Sequence, residues 1–264
     1  MSVLTWSFPR RKQAKNFGSK IVDCGLWIVN WTRTLRFTYP KPQPPVHNSQ
    51  TTIHMTTRFV YFDLGNVLAC FSLDRLLQQV AEVVGCSREE IKLAYFEEHG
   101  VQQRFERGEI DTDTYYKLIC ERIGGQPDRD AFFQATNDIF WFNEPILPHL
   151  AALATMDFPR GILSNTGPTH WAFCVESFPV ITEMLPANHV LSYQARALKP
   201  QSGIYQTAIQ TARNVVPDIQ PGEILFFDDL QKNVQGAIDC GIDAVLYNGQ
   251  TDVGVILAER IGVL

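Results

Sequence analysis

The chain has 264 residues and a formal net charge of −5, and 45% of its residues are hydrophobic and 19% charged. This length and composition predict a globular protein with one α/β core and a smaller accessory domain. The charge is divided unevenly, because residues 1–54 carry +7 and the rest of the chain carries −12. Non-specific nucleic-acid binding requires many basic side chains, so the acidic part argues against a nucleic-acid partner. Any phosphate that the protein binds must therefore be held by a local site.

Residues 1–54 combine clustered basic residues with a proline-rich run and show no sustained period. This pattern predicts a disordered or misassigned N-terminal extension, with Met55 as the natural start or the leader dispensable. The apolar stretch Ile21–Trp31 is interrupted by Asp23 and Asn30 and is shorter than the ~20 residues of a membrane span, so no membrane association is expected. The six cysteines include no Cys-x-x-Cys pair, which predicts reduced thiols and a cytoplasmic protein.

From residue 55 onward, short runs rich in β-branched and aromatic residues are separated by longer helical patterns. This alternation predicts strands of a parallel sheet that are linked by helices. The runs are Phe59–Phe62, Gly161–Leu163, His189–Ser192, Glu223–Phe227 and Ala244–Tyr247. One helix is predicted over Val234–Cys240, with Ile238 among its inward residues and Gly241 ending it in a left-handed conformation. We therefore predict a Rossmann-like, doubly wound α/β core.

The interval between the first two strands is unusually long and contains almost only helix signals, such as the capping box of Ser87 and Glu90. A crossover between neighbouring strands rarely needs so much chain. We predict an all-helical cap over residues 71–143, inserted into a core made of residues 55–70 and 144–264. The aromatic residues near the end of the cap are predicted to form its interior: Phe132, Phe133, Phe140, Trp141 and Phe142.

Polar residues directly follow the apolar runs of the strands that should be central. They are Asp63 and Gly65 after the first strand, Ser164 and Asn165 after the second, Lys199 in the loop beyond the third, and Asp228 and Asp229 after the fourth. Because the carboxyl ends of parallel strands lie at one edge of a sheet, we expect these residues to converge there.

Phosphate-ester hydrolysis explains this combination of residue types. A carboxylate can attack a dianionic phosphoryl group only where a metal ion and a cation neutralise the negative charge. Asp63, Asp228 and Asp229 offer the hard oxygen ligands that Mg²⁺ prefers, and Lys199 supplies the cation. Donors for the phosphate oxygens are Ser164 and Asn165. Asp63 would then form an aspartyl-phosphate that water hydrolyses.

In order and residue type, these segments resemble the four motifs of the haloacid-dehalogenase superfamily. The segments are Phe62–Leu68, Leu163–Thr166, Lys199–Pro200 and Phe226–Asp229. The resemblance extends from Phe59 to Asn248, and the helical insertion is similar to that of the cap-bearing subgroup. Within this subgroup, the first and last motifs and the segment Glu106–Ile110 resemble bacterial phosphatases that act on α-D-glucose 1-phosphate. The phosphatase domain of soluble epoxide hydrolases is a more distant likeness.

The resemblance implies a Mg²⁺-dependent phosphatase for a small phosphorylated metabolite, such as a sugar phosphate, with Asp63 as the nucleophile. It implies that magnesium is held by Asp63, the backbone carbonyl of Gly65, Asp229 and, directly or indirectly, Asp228. It implies that the catalytic groups beside the phosphate are Lys199 and Ser164, together with Asn165 as a further phosphate-binding residue.

One position departs from the family pattern. Most phosphatases of the family have a second Asp two residues after the nucleophile, which protonates the leaving alcohol and then activates water. This sequence has Gly65 there, and general acid–base help is typically worth ~10²–10⁴-fold in rate. Three explanations are open: a leaving group that is easily expelled, slow catalysis in a protein that mainly binds, or another proton donor. The candidate donors are water, His99, Glu106, Glu109 and His170.

Other functions are compatible with parts of the pattern. A 2-haloacid dehalogenase shares the fold and the Asp nucleophile but needs no metal, so the pair Asp228 and Asp229 argues against it. A phosphomutase needs the missing acid–base group. A phosphometabolite-binding protein with weak catalysis is favoured by Gly65. Taken alone, Glu106–Glu109 predicts a solvated turn between cap helices.

Overall fold

The described part of the chain contains a parallel sheet of five strands and a separate antiparallel pair. The computed structural model describes residues 56–96 and 100–261, so the predictions for residues 1–54 and for Met55 lie outside the described residues. The strands are β1 (Phe59–Phe62), β2 (Ala69–Phe71), β3 (Phe140–Phe142), β4 (Arg160–Ser164), β5 (Val190–Leu191), β6 (Ile224–Asp228) and β7 (Asp243–Leu246). The parallel sheet has the order β5-β4-β1-β6-β7, which places β1 at its centre.

Helices connect and cover the strands. In chain order they are α1 (Leu73–Val84), α2 (Arg88–Phe96), α3 (Val101–Glu106), α4 (Thr112–Ile123), α5 (Arg129–Asn137), α6 (Leu147–Thr155), α7 (Pro168–Ser177), α8 (Pro179–Met184), α9 (Ser192–Ala195), α10 (Ser202–Val215), α11 (Gln231–Asp239) and α12 (Val253–Ile261). Single 3₁₀ turns lie at Glu144–Ile146 and Pro221–Glu223. Among the residues described, no helix combines the length and the apolar character needed to span a bilayer.

The central sheet is buried on both faces. Val60 and Phe62 of β1 pack with residues of α6, α7, α8 and α12, whereas Phe59 and Tyr61 pack with residues of α10 and α11. All four residues of β1 are fully buried, which explains why this strand is a continuous apolar run rather than an alternating one. Helices therefore lie on both sides of the sheet, as the prediction of a doubly wound α/β fold requires.

The helices α1 to α5 enclose a hydrophobic cluster of their own, which includes Val80, Ile91, Ile119 and Phe132. Several of these helices begin or end at residues that cap them. Ser72 accepts a hydrogen bond from the N–H of Arg75 and starts α1, which ends at Gly85 with φ 78°. Asp128 caps α5 through the N–H of Ala131. We refer to residues 71–143, which contain these helices, as the helical insertion.

The antiparallel pair of β2 and β3 joins the two ends of the helical insertion, with Ala69 opposite Phe142. No pattern in the sequence indicated this pair, and its aromatic residues were predicted to lie inside the cap. That placement was wrong for Trp141, whose exposed fraction is 49%, and for Phe142, which packs against the core of the sheet. In a strand, neighbouring side chains point to opposite faces, so Trp141 is turned outward between Phe140 and Phe142.

Two further expectations concern α11 and the cysteines. Gly241 follows α11 with φ 85°, as predicted, but Ile238 is 46% exposed and not inward. Val234 and Ala237 belong to the buried face of α11. Ile238 directly follows Ala237, and because successive side chains of a helix point in different directions, it lies outside that face. The five cysteines that the described ranges contain are free thiols.

Candidate active site

The polar residues singled out in the sequence meet at the carboxyl edge of the parallel sheet. Asp63 directly follows β1, Ser164 ends β4, and Asp228 ends β6. Asp63, Asp228 and Asp229 each place a carboxylate oxygen within 4.8 Å of the other two. Because β1, β4 and β6 are adjacent and parallel, their ends bring these groups together although they are far apart in sequence.

Lys199 connects the carboxylates at the base of this cluster. Its Nζ lies 2.9 Å from Oδ1 of Asp63 and 2.6 Å from Oδ2 of Asp228, and it donates to the carbonyl of Leu163 at 3.0 Å. The side chain of Lys199 is fully buried. Burial by itself would lower the pKa of the ammonium, but the two carboxylates together raise that pKa above its usual value. Lys199 is therefore a charged group with all three N–H donors engaged.

Asp63 is buried at the centre of the cluster. Its Oδ1 also accepts a hydrogen bond from the N–H of Leu64 at 2.7 Å. Burial raises the pKa of Asp63 to about 7, with Asp228 adding to the rise and Lys199 and Ser164 opposing it. A second cation beside this carboxylate would favour its ionised form, because opposite charges lower the pKa of an acid.

The two acidic residues after β6 have different surroundings. Asp228 is fully buried, and its Oδ1 accepts hydrogen bonds from the N–H of Leu230 at 2.8 Å and from Nδ2 of Asn233 at 2.9 Å. Asp229 is half-buried and accepts a hydrogen bond from Nδ2 of Asn66 at 2.8 Å. Burial raises the pKa of Asp229. Asp228 is thus enclosed by the protein, whereas Asp229 is partly accessible to solvent.

The sequence analysis missed the two asparagines that hold these carboxylates. Asn66 lies in the loop after Asp63 with φ 55°, a left-handed conformation that asparagine tolerates better than most residues. Asn233 is buried in the first turn of α11. The position of Asn66 beside a glycine in a turn after a strand is a weak signal, whereas nothing local distinguishes Asn233.

Ser164 and Asn165 lie beside Lys199, as the predicted convergence requires. The hydroxyl of Ser164 interacts with Asp63. Asn165 donates through Nδ2 to the carbonyl of Lys199 at 3.0 Å and accepts the N–H of Lys199 at 2.8 Å. The amide group of Asn165 therefore fixes the backbone of the lysine loop. Helix α7 begins three residues after Asn165, at Pro168.

Gly65 has no side chain to offer, and the space next to it is partly filled. A Cβ at this position would lie 3.3 Å from Cε1 of Phe71, which is the last residue of β2. This distance is tight but not prohibitive, because Phe71 is 38% exposed and its ring can move outward. The aromatic ring thus stands near the position where the family's usual acid–base group would begin.

The four candidate proton donors have different environments. His99 lies outside the described residues. Glu109 is exposed and pairs with an arginine side chain at 2.7 Å. Nε2 of His170 lies 3.2 Å from the carbonyl of Thr136, and burial lowers the pKa of His170 to about 4. Glu106 ends α3, and burial raises the pKa of its carboxyl group.

The expectation that Glu106–Glu109 forms a solvated turn is wrong for its first part. The hydroxyl of Ser192 donates to the carbonyl of Glu106 at 2.6 Å, and Arg196 donates to the carbonyl of Gly108 at 2.9 Å. Gly108 has φ 69°, and a Cβ there would lie 2.1 Å from the carbonyl oxygen of Tyr193. This segment of the helical insertion is therefore packed directly against α9, the short helix that follows β5.

No protein-family model matches the chain. Among curated proteins, the chain is similar to bifunctional epoxide hydrolase 2 of Rattus norvegicus, with 24% identity over 73% of this chain and 36% of that protein. The chain thus spans about a third of the length of this relative. The match agrees with the likeness to epoxide hydrolases that the motifs indicated.

Solved structures give the fold. The HAD family enzyme BT-2542 of Bacteroides thetaiotaomicron, in complex with magnesium and inorganic phosphate, matches with a TM-score of 0.63 and 22% identity, covering 76% of this chain and 98% of that one. A HAD-like hydrolase of Porphyromonas gingivalis has a TM-score of 0.64 and 19% identity, covering 76% and 96%. A dehalogenase matches less closely, with a TM-score of 0.51 and 17% identity, covering 74% and 87%. The chain therefore has the α/β fold of the haloacid-dehalogenase enzymes.

Proposed function

We propose that the protein is a metal-dependent hydrolase of small phosphate monoesters in which Asp63 is the nucleophile. The observation that carries this proposal is the contact of one buried ammonium group, that of Lys199, with Asp63 at 2.9 Å and with Asp228 at 2.6 Å. These groups lie at the carboxyl edge of the sheet, where open α/β folds bind ligands. A buried cation there orients the nucleophile and offsets the charge of an incoming phosphate.

The carboxylate cluster has the donor chemistry that a divalent cation requires. Three carboxylates with oxygens within 4.8 Å of one another provide hard ligands, and Mg²⁺ binds to a few such groups and to waters. Asp63, Asp229 and the carbonyl of Gly65 would hold Mg²⁺, and Asp228 would support the site from its hydrogen-bonded position. When bound, the ion neutralises negative charge on the phosphoryl oxygens. BT-2542, which shares the fold, was crystallised with magnesium and phosphate.

In the proposed reaction, a carboxylate oxygen of Asp63 attacks phosphorus. The bond from phosphorus to the ester oxygen breaks, and the alcohol leaves with a proton. Water then attacks the phosphorus of the aspartyl-phosphate, which releases phosphate and restores the Asp63 carboxylate. Ser164 would donate to a phosphoryl oxygen, assisted by the N-terminus of α7. Lys199, whose three N–H donors are engaged, would act on the phosphate through its charge. Because its amide is bonded to the Lys199 backbone, Asn165 would act mainly by positioning this lysine.

We propose a sugar phosphate as the substrate class, with the helical insertion as a cap over the site. This assignment is supported by the likeness of the first and last motifs to sugar 1-phosphate phosphatases. An anomeric sugar oxygen is expelled more readily than a simple alkoxide, which suits a chain that has Gly65 in the acid–base position. The cap would comprise residues 71–143, and the core residues 55–70 and 144–264.

The test is a panel of phosphate esters, including α-D-glucose 1-phosphate, assayed with Mg²⁺ and with EDTA. We expect phosphate release that requires Mg²⁺ and that falls about 10⁴-fold or more in Asp63→Asn, which removes the nucleophile's charge but little volume. Asp130→Asn, an exposed position on α5, is the matched control and should retain full activity. Substantial release by the Asp63→Asn protein would refute the mechanism.

The surroundings of Gly65 favour a second function. Position 65 has no acid–base side chain, and a Cβ there would lie 3.3 Å from the ring of Phe71. A protein built this way could bind phosphorylated metabolites without rapid turnover. Saturable binding of sugar phosphates by purified protein, with no Mg²⁺-dependent phosphate release, would support this alternative. Haloacid dehalogenation is disfavoured because displacement of halide from carbon needs no metal ion and therefore no cluster of carboxylates. EDTA would leave a dehalogenase unaffected.

A further inference from the structure

The carboxyl group of Glu106 belongs to the helical insertion but shares the electrostatic environment of the core site. Its charge interacts with the ammonium groups of Lys199 and Lys232. Lys199 forms an ion pair with Asp63. Lys232 lies in the first turn of α11, three residues after Asp229. The Glu106 carboxyl group is therefore close enough to the core site for the charge of Lys199 to act on it.

The backbone around Glu106 is anchored to the loops that carry the phosphate-binding residues. The hydroxyl of Ser192 donates to the Glu106 carbonyl at 2.6 Å and accepts the N–H of Thr166 at 3.0 Å, two residues beyond Ser164. Gly167 lies so close to the insertion that a Cβ there would be 2.7 Å from the ring of Phe105. These contacts fix the end of α3 directly against the Ser164 loop.

The side chain of Glu106 is held by a chain of two hydrogen bonds. Nε2 of Gln102 donates to Oε1 of Glu106 at 2.8 Å, and the hydroxyl of Tyr115 donates to Oε1 of Gln102 at 2.7 Å. Tyr115 stacks on Phe105 with ring centroids 4.1 Å apart. The bond from Gln102 uses one carboxylate oxygen of Glu106 and orients the group.

The raised pKa of Glu106 favours the protonated form that a general acid needs. Burial raises the pKa of Glu106, whereas the hydrogen bond from Gln102 and the charges of Lys199 and Lys232 oppose that rise. The titratable groups that interact with Glu106 are thus the two lysines and Tyr115. A carboxylic acid with a raised pKa can donate a proton and later accept one.

The other candidates are less suitable as donors. Glu109 is exposed and already paired with Arg107. His170 contacts the carbonyl of Thr136, and its lowered pKa of about 4 leaves it neutral at physiological pH. Among the described candidates, Glu106 alone combines a held carboxyl group with the electrostatic environment of Lys199.

We propose that Glu106 is the acid–base group that the chain uses in place of a side chain at Gly65. This inference rests on the proposed phosphatase function. In the first step, the Glu106 carboxyl proton passes to the ester oxygen as its bond to phosphorus breaks, so that a neutral alcohol leaves. In the second step, the Glu106 carboxylate takes a proton from the water that attacks the aspartyl-phosphate, and both carboxyl groups return to their starting states.

The experiment compares Glu106→Gln with Glu109→Gln on two esters that differ in their leaving group. p-Nitrophenyl phosphate releases a weakly basic phenolate that needs little protonation, whereas glycerol 3-phosphate releases a strongly basic alkoxide. We expect Glu106→Gln to lower kcat for glycerol 3-phosphate by about 10²–10⁴-fold and kcat for p-nitrophenyl phosphate by less than about tenfold. Glu109→Gln should behave as the wild type on both esters.

The pH profile gives a second readout. Loss of the Glu106 proton should produce a basic limb in the kcat profile for glycerol 3-phosphate, and Gln102→Leu should move that limb to higher pH because it removes a hydrogen bond that stabilises the carboxylate. Equal losses on both esters in Glu106→Gln, or a basic limb unmoved in Gln102→Leu, would overturn the assignment. A wild-type protein without Mg²⁺-dependent release from any ester would instead overturn the proposed function, and this inference with it.

Discussion

Lys199, Asp63 and Asp228 form a buried triad of charges that the fold holds at a cost. Transferring each charge from water into the protein is unfavourable, and the attraction between the groups offsets that cost only while all of them are present. The side chains of Lys199 and Asp228 are 0% exposed, so neither can regain hydration without local unfolding. Removal of the cation should therefore affect the free energy of unfolding as well as activity.

We predict that Lys199→Met lowers the free energy of unfolding by about 3 kcal/mol at pH 8 and reduces phosphate release at least about 10²-fold. The reason is that Asp63 and Asp228 would then face each other without a cation. Urea denaturation in EDTA measures the stability, and adding Asp228→Asn to the variant should restore part of it. Lys117→Met, at a lysine that is 75% exposed, is the control. An equally stable Lys199→Met protein would contradict the prediction.

Gly65 provides a direct test of the missing acid–base group. Gly65→Asp requires the ring of Phe71 to move by a few tenths of an ångström, since a Cβ there would lie 3.3 Å from it. We expect the substitution to accelerate hydrolysis of glycerol 3-phosphate more than that of p-nitrophenyl phosphate, and to recover most of the activity lost in Glu106→Gln. Adding Phe71→Ala should enlarge the gain. Equal effects on the two esters would show that proton transfer is not limiting.

At the scale of elements, the position of α3 determines where Glu106 lies. The turn after α3 contacts α9 so closely that residue 108 has no room for a side chain. The antiparallel pair of β2 and β3 stands at the two ends of the helical insertion and links it to the sheet. The insertion thus contacts the core through a backbone pair at its ends and through the turn at Gly108.

Comparing substitutions at Gly108 and Gly124 should distinguish the effect of this close contact from the effect of a left-handed backbone conformation. Gly108→Ala places a Cβ 2.1 Å from the carbonyl oxygen of Tyr193, whereas Gly124→Ala, at a similar φ of 65°, meets nothing within 4 Å. Gly124→Ala should cost about 1–2 kcal/mol of stability through its left-handed conformation alone, with activity unchanged. Gly108→Ala should cost at least twice as much and lower kcat for glycerol 3-phosphate at least about tenfold, because it displaces Glu106. Thermal unfolding and steady-state assays measure both quantities, and matching results for the two variants would contradict this account.

At the scale of the whole molecule, the chain from residue 55 onward is net negative and includes the carboxylate cluster of Asp63, Asp228 and Asp229. Repulsion between these carboxylates is unfavourable unless a cation offsets it. The pKa of Asp63 is raised to about 7 by burial, so the fold favours its protonated form. For a group with a raised pKa in the folded state, the contribution to stability is fully present below the ordinary pKa. It is lost as the pH rises through the folded value, here about 7.

We therefore predict that Mg²⁺ stabilises the protein more at pH 8 than at pH 5.5. At low pH the ion must displace the proton of Asp63, whereas at pH 8 it meets a carboxylate that is already ionised. At 100 times its dissociation constant, the ion should add about 2.7 kcal/mol at pH 8. Thermal unfolding with Mg²⁺ and with EDTA measures the difference, and Asp229→Asn should reduce it. A shift that is independent of pH would contradict the prediction.

The sequence by itself determined the features that depend on neighbouring residues. Apolar runs such as Phe59–Phe62 predicted strands of a parallel sheet, and the capping box of Ser87 and Glu90 predicted the start of α2. The order of the polar residues after these strands predicted one cluster, because parallel strands end at a common edge. These inferences succeeded because apolar runs and helix capping are local properties of the chain.

Only the tertiary structure decided which groups meet across long stretches of sequence. Local pattern did not distinguish Glu106 from Glu109, yet the charge of Lys199 acts on Glu106, whereas Glu109 is exposed and pairs with Arg107. It also did not predict that Asn66 would hold Asp229, or that the amide of Asn165 would be used on the lysine backbone. The physical reason is that burial, desolvation and hydrogen-bond partners arise from packing between distant elements, and packing has no local period in the sequence.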